Sequence, residues 1–425
     1  MEWKIYSTNV VYCYGCRDHC SKPGSTTILF QTAMPALLHR RNFTRLFAWG
    51  AGALLTSAAG SAGILQVGPT RKLRKIADAA RVAAPGQVIE VDAGTYLADV
   101  AVWEQPGLVL RAVGGRARLH AQGAAAEGKG IWVVRSSSMR VEGFDFEGAA
   151  VPSRNGAGIR FERGVLQVRD CRFKHNEMGL LTNNDPNSVL IVEDCEFAHN
   201  MRPDGHNHNL YVGRIARLAV SGSYFHHART GHLLKSRARV NMVFCNRLID
   251  EPGGTASYEL EFPDGGVAHV VGNLIGQNAQ TENNHLVSFG AEGYKWPRNA
   301  IYMVNNTLVN LLPRNGVFLR VAPRADAVCA INNLLLGEGN LEAAGPGDYR
   351  SNFTAEAADF VDASALDFRP RPGVRWLGKT VDPGEADGRS LRPDREYVYP
   401  RGTRALDNTA HNPGAMQRLA LATTS

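Results

Sequence analysis

The chain contains no run of about 18 apolar residues, the length that crosses a bilayer as a helix, so no permanent transmembrane helix is expected. It has little net charge outside its first 63 residues. Those carry six basic and two acidic side chains, and the rest carries 41 basic and 38 acidic. The formal charge of +7 is therefore mostly a leader effect. No clustered basic patch lies beyond the leader and the short Arg71–Lys75 run, which argues against a nucleic-acid partner. Sustained 3.6-residue periodicity is missing too, which excludes a helical bundle or coiled coil. What is present is glycine, 44 residues against 20 prolines, with 44% hydrophobic and 20% charged residues. That is the balance of a globular, turn-rich chain.

The first 63 residues read as an export leader. Arg40-Arg41-Asn42-Phe43-Thr44-Arg45 is a positive segment, Leu46 to Leu55 is apolar, and Thr56 to Gly63 is small. The paired arginines resemble a twin-arginine signal, with His39 where that motif has Ser or Thr. Cleavage is expected after Ala59 or Ala62. Met34 is the expected start, which makes residues 1–33 a non-native extension and 34–63 the signal. Cys13, Cys16 and Cys20, with His19, would fall in that extension and carry no functional weight. A periplasmic or secreted protein follows, with no stable membrane insertion after cleavage.

Residues 64–345 repeat a short phrase. It reads Val141-Glu142-Gly143-Phe144-Asp145-Phe146, then Val168-Arg169-Asp170-Cys171-Arg172-Phe173, then Val192-Glu193-Asp194-Cys195-Glu196-Phe197. Looser copies begin at Val220, Asn246, Asn273, Asn306 and Asn333. Each copy alternates with period two and is broken by Gly, Asn, Asp or Pro, the pattern of short strands. A unit this short cannot bury a face alone and must stack on its neighbours. The expected fold is all-β: a single-stranded right-handed parallel β-helix, or solenoid, with Phe, Cys and Asn ladders inside. Cys171, Cys195 and Cys245 are expected to face the core. Lys75–Ala80 is a short helical pattern placed to cap the open N-terminal end. From about residue 346 the phrase fades into a Pro-, Arg- and Asp-rich tail, expected to lie irregularly along the coils.

With its opening Pro85-Gly86-Gln87-Val88-Ile89-Glu90-Val91-Asp92-Ala93-Gly94-Thr95-Tyr96, the repeat region resembles the pectate-lyase-like, right-handed parallel β-helix superfamily. The resemblance implies a carbohydrate-active exported protein. It supports the fold more than the reaction, because one fold hosts several chemistries.

Residues at equal offset in each repeat form a column along the solenoid. Offsets of 12–15 collect Asp185, His208, Lys235, Arg237, Glu259, Glu261 and His285. Alternation in Tyr258-Glu259-Leu260-Glu261-Phe262 points Leu260 and Phe262 inward and both glutamates outward. Tyr211, Lys235 and Arg237 point outward by the same reasoning. The candidate catalytic residues are His208, Tyr211, Lys235 and Arg237. Lys235 and Arg237 would neutralise a uronate carboxylate, and His208, Tyr211 or Lys235 would take the proton. Candidate substrate-binding residues are Asn183, Asp185, His206, Asn209, His232, Glu259, Glu261, His285 and Glu292. The favoured reading is β-elimination on an acidic polysaccharide or oligosaccharide.

Three alternatives stay open. Glu259, Glu261 and Asp264 could form a hydrolytic carboxylate pair. The chain lacks the Arg-Ile-Lys phrase and intact Gly-His-Gly of polygalacturonases, and Asp185-Pro186-Asn187-Ser188 lacks the Asp-Pro-His-Asp of alginate epimerases. The protein could bind glycans without turnover. The third is wholly structural: Asn and His around residues 206–209 making ladder bonds, and the cations pairing with Glu259 or Glu261. Metal ligation by His206 and His208, with His226, His227 or His232, is a further reading, but no metal is assigned, since no carboxylate or cysteine falls at zinc-like spacing. A calcium requirement is left open.

Overall fold

The computed structural model describes residues 63–202, 204–341, 345–407 and 411–419. The proposed leader and its cysteine cluster lie outside these residues. None of the described helices is long and apolar enough to cross a membrane.

The chain is an all-β, right-handed parallel solenoid with three faces. One face holds ten parallel strands, starting with Ala101–Trp103 and Gly130–Val134 and ending with Gly316–Val321 and Gly339–Asn340. A second runs from Ser138–Glu142 through Val165–Arg169 to Asp348–Arg350, and a third from Phe144–Glu147 through Arg172–Lys174 to Phe353–Ala355. The repeat phrase is the tight corner joining the second face to the third. One residue there takes positive φ in each coil: Gly143, Asp170, Asp194, Gly222, Cys245, Gly272, Asn305, Asn332 and Ser351. Gly, Asn and Asp tolerate that region best, which is why they punctuate the repeat.

The residue after each corner turns into the interior and forms the expected ladder. Asn246, Asn273, Asn306, Asn333 and Asn352 bond each to the next, Nδ2 to Oδ1, at 2.9–3.0 Å. Each of the first four also donates to a backbone carbonyl of the preceding coil. Every amide is thus satisfied in a dry interior, where an orphan would cost about 1–3 kcal/mol. Two residues on, Phe146, Phe173, Phe197 and Phe225 stack at 5.0, 4.6 and 4.8 Å between ring centres. Cys171 and Cys195 are buried free thiols in the ladder. Cys245 is buried too, but against the packing of the C-terminal tail rather than inside the coils. It occupies the corner rather than the ladder position, and its Sγ donates to the Arg395 carbonyl in the C-terminal tail.

A helix over Ile76–Val82 covers the N-terminal end, burying Ile76, Ala79 and Ala80. Asp99 accepts from its first backbone amides, Ile76 at 2.6 Å and Ala77 at 2.9 Å. The tail packs back on the coils. Its Trp376, fully buried, forms a satellite core with Phe360 and Phe368. Arg401 reaches Asp170 at 2.8 Å, and the Gly402 amide donates to the Gly222 carbonyl.

Candidate functional site

The ten-stranded face carries the strip of polar side chains. Register fixes its central column: Arg160, Leu181, Tyr211, Lys235, Glu261, Ser288 and Arg320 lie side by side on successive coils. A second column comes from the start of each strand: His208, His232, Tyr258 and His285. Their rings meet at 4.6, 5.0 and 6.3 Å between neighbours.

The alternation is not strict, because between these outward columns two successive residues turn inward. Leu180, Leu210, Leu234, Leu260 and Val287 form one inward column. The residues just before them form another: Gly179, Asn209, Leu233, Glu259 and Leu286. A Cβ on Gly179 would come within 2.9 Å of the Phe197 ring, so this column faces the core.

That pair of inward columns corrects two expectations. Glu259 does not face a groove; it is fully buried. Among the described residues, neither carboxylate oxygen has a partner beyond its own backbone amide. Burial, and then the nearby Asp250, push its pKa well above the ordinary 4.5. Asn209 is likewise interior. Its Oδ1 accepts from Asn200 Nδ2 at 2.8 Å, and its Nδ2 donates to the His226 carbonyl at 2.9 Å. Two further expected residues are not brought into the strip's network. Asp185 spends its oxygens on the Ser188 hydroxyl and the Asn187 amide in a turn. His206 is exposed on the preceding loop.

The remaining candidates converge. Lys235 Nζ lies 2.9 Å from Glu261 and 3.2 Å from Glu292. His232 Nε2 lies 2.8 Å from Glu261, and its Nδ1 is buried without a partner. Arg237 donates to Asp264 at 2.6 Å, to Glu292 at 2.8–2.9 Å, and through Nε to the Tyr211 hydroxyl at 2.9 Å. Arg214 holds the other oxygen of Asp264 at 2.6 Å. Burial opposes the charge of Glu261, but His232 and Lys235 outweigh it and leave its pKa below the usual range. Glu292 is lowered in the same way, with Arg237 and Lys235 overcoming burial.

Glu292 arrives from the loop Gly290–Trp296, which needs its glycine. At Gly290 φ is +78°, and a Cβ there would meet the Tyr294 ring at 2.3 Å. The loop is pinned by Trp296 Nε1 donating to the Arg237 carbonyl and Tyr294 to the Ala322 carbonyl.

His208 is half-buried, and its Nδ1 accepts the His232 backbone amide at 3.0 Å. Burial, then the charges of His232, Lys235 and Arg237, hold its pKa well below 6.5. A neutral ring bonded this way carries its proton on Nε2, so His208 offers a donor rather than a base. His285 bonds Asn283 at 2.6 Å and sits at the far end of the aromatic column.

Asn183 accepts from Arg160 Nε at 3.0 Å. Arg160 makes no ion pair among the described residues, and its half-buried guanidinium has a pKa lowered by desolvation. Arg160, Asn183, Asn184, Tyr211 and Gly213 line a shallow depression of about 500 Å³. Arg160, Arg214 and Tyr258 escaped the sequence reading. Arg160 is the outward residue between inward Ile159 and Phe161, one repeat before the residues singled out, and that local in-out-in pattern could have found it.

No family model matches the chain, and no curated protein does. Among solved structures it is similar to the crystal structure of pectate lyase Pel9A. The TM-score is 0.56 at 13% identity, covering 84% of this chain and 96% of that one. The fold is therefore that of the pectate-lyase-like right-handed parallel β-helices. A crystal structure of a pectin methylesterase with a bound hexasaccharide also matches, at a TM-score of 0.38 and 11% identity, over 71% of this chain and 96% of that one.

Calcium takes six to eight oxygens. The strip's carboxylates, Glu261, Asp264 and Glu292, each neutralise one or two cations already, so the residues present do not fit a calcium cage.

Proposed function

We propose that this protein is exported and acts on an acidic, uronate-containing polysaccharide, cleaving it by β-elimination along the ten-stranded face. The observation that carries the reading is the register of Arg160, Tyr211 and Lys235 beside an open depression, with Arg237 bonded to Tyr211. Arg160, a cation without a carboxylate partner among the described residues, holds the uronate carboxylate. Neutralising that group acidifies the adjacent C–H. Lys235, paired with Glu261 and Glu292, serves to orient the sugar. Tyr211 is the proton-transfer group: its hydroxyl accepts from Arg237 Nε at 2.9 Å and lines the depression where the sugar would lie. The glycosidic C–O bond then breaks as the C=C bond forms, and the leaving oxygen gains a proton. His208 Nε2–H is a donor on the same strip.

The test is full-length protein on a panel of uronate polymers, read for unsaturated-product absorbance and for reducing ends, with Tyr211→Phe alongside. Absorbance that disappears in the variant supports the reading. Silence in both channels across the panel overturns it. A hydrolytic reading rests on Lys235 bringing Glu261 and Glu292 within reach of one ammonium. New reducing ends without unsaturated product would favour it.

A further inference from the structure

A second cluster of ionisable side chains lies away from the polar strip, at the edge of the third face. His175, His199 and His227 occupy the same corner on three successive coils, each with positive φ near 50–55°. Their rings stack, His175 on His199 at 5.1 Å and His199 on His227 at 4.4 Å. His226 precedes His227 and packs edge-on against it. One ring nitrogen from each of His199, His226 and His227 lies within 4.8 Å of the others.

The hydrogen bonding gives these nitrogens a direction. His226 Nε2 faces Glu196 at 3.4 Å, while its Nδ1 lies 2.6 Å from Nδ1 of His227. Lys174 Nζ holds the same Glu196 oxygen at 2.6 Å, so an ion-paired carboxylate faces His226 Nε2. A neutral His226 then keeps its proton on Nε2 and turns the Nδ1 lone pair toward His227. The carboxylate–histidine pairing is the arrangement that orients metal-ligating imidazoles. Two imidazole nitrogens at 2.6 Å need a proton between them, or an ion that draws both. His199 and His227 are half-exposed, so an ion can enter from solvent.

We propose that His199, His226 and His227 bind a divalent first-row transition metal ion of the zinc type, with Glu196 positioning His226 and a fourth position open to water. Three neutral imidazoles suit zinc, cobalt, nickel or copper(II) and disfavour calcium or magnesium. In a tetrahedral zinc site the nitrogens stand about 3.3 Å apart, given Zn–N of about 2.0 Å. The 2.6 Å between His226 Nδ1 and His227 Nδ1 and the 4.8 Å within which all three nitrogens lie bracket that spacing. The ion would staple two successive coils, the one bearing Glu196–Ala198 and the one bearing Tyr224–His226.

The experiment titrates Co²⁺, then Zn²⁺ in competition, into the full chain carrying Cys13→Ser, Cys16→Ser and Cys20→Ser, so that leader thiols do not compete. The reading predicts one Co²⁺ per chain with visible d–d absorption, displaced by Zn²⁺, and a thermal midpoint that rises by several degrees with Zn²⁺. His199→Ala and His227→Ala should each weaken binding at least tenfold and abolish the midpoint rise; His411→Ala should change neither. Far-UV circular dichroism checks that each variant folds, and His199→Gln replaces His199→Ala if that chain does not. Absence of stoichiometric binding, or equal affinity in the folded His199 and His227 variants, would overturn the site and leave the rings as a stacked ladder.

Discussion

Replacing Glu259 by leucine should stabilise the protein, and by an amount that grows with pH. Glu259 stands in an inward column between Leu233 and Leu286, fully buried and, among the described residues, without a partner for either oxygen beyond its own amide. Leucine there removes an unsatisfied polar group, which costs about 1–3 kcal/mol. It also adds apolar burial, worth up to about 2 kcal/mol for a side chain of this size. Some of that gain is offset by the altered shape, so about 2 kcal/mol is expected where the acid is neutral in both states. Above pH 4.5 the unfolded chain ionises Glu259 while the folded protein still holds the proton. Ionisation therefore opposes folding, and the natural protein loses about 1.4 kcal/mol per pH unit until pH passes the raised folded value. The Leu variant does not feel this loss, so its advantage should reach up to about 3 kcal/mol more at pH 7 than at pH 4.5. Asp250, raised to about 7 by burial, titrates in both proteins and largely cancels in the difference. The assay is urea unfolding from pH 4.5 to 8, followed by tryptophan fluorescence and circular dichroism, with coincident transitions required. A pH-independent difference, or a variant less stable at every pH, would refute the argument.

Four other changes separate the roles of neighbouring groups. Asn273→Ala deletes the bonds to Asn246, Asn306 and the Val243 carbonyl and should cost about 2–4 kcal/mol in urea unfolding; a loss below about 0.5 kcal/mol would show the ladder to be decorative. Asp264→Ala strips the shared carboxylate from Arg214 and Arg237 and should cost about 3–5 kcal/mol, whereas half-exposed Glu292→Ala should cost under about 1 kcal/mol; equal costs would contradict the burial difference. Arg160→Ala should lower kcat/KM for a uronate polymer at least about tenfold, with kcat falling as the C–H loses its acidifying cation, and an unchanged kcat/KM would remove Arg160 from the reaction.

Much of the fold was legible because its signals are local. The corner must turn in one residue, so Gly, Asn or Asp recurs there; the next residue must satisfy an amide indoors, so Asn recurs after it. The site was legible only in part. Period-two alternation correctly turned Tyr211, Lys235, Arg237 and Glu261 outward. It failed at Glu259, because the ten-stranded face turns two successive residues inward and alternation slips by one at the start of each strand; the same turn takes Asn209, a candidate for substrate binding, into the interior. That slip also puts His208, His232 and Tyr258 outward in a single column. Long-range pairing was the other gap. Arg214 meets Asp264 across fifty residues of sequence, and no local pattern encodes it.

The charge arrangement itself argues for where an anionic polymer would sit. Lys235 and Arg237 were expected to meet the substrate, yet each is already neutralised: Lys235 by Glu261 and Glu292, Arg237 by Asp264 and Glu292. An incoming carboxylate must displace part of that pairing to reach them, and Glu292, the most exposed of the three acids, is the one that can leave. Arg160 requires no such exchange, since its partner is the neutral Asn183. An anionic chain would therefore be held first at Arg160, in the depression beside Tyr211. It would extend along the coils toward Lys235 only as the Gly290–Trp296 loop yields Glu292. On this argument the loop sets access to the two paired cations, and Glu292→Gln should strengthen binding of uronate oligomers that span from Arg160 to Lys235 while leaving shorter ones unaffected.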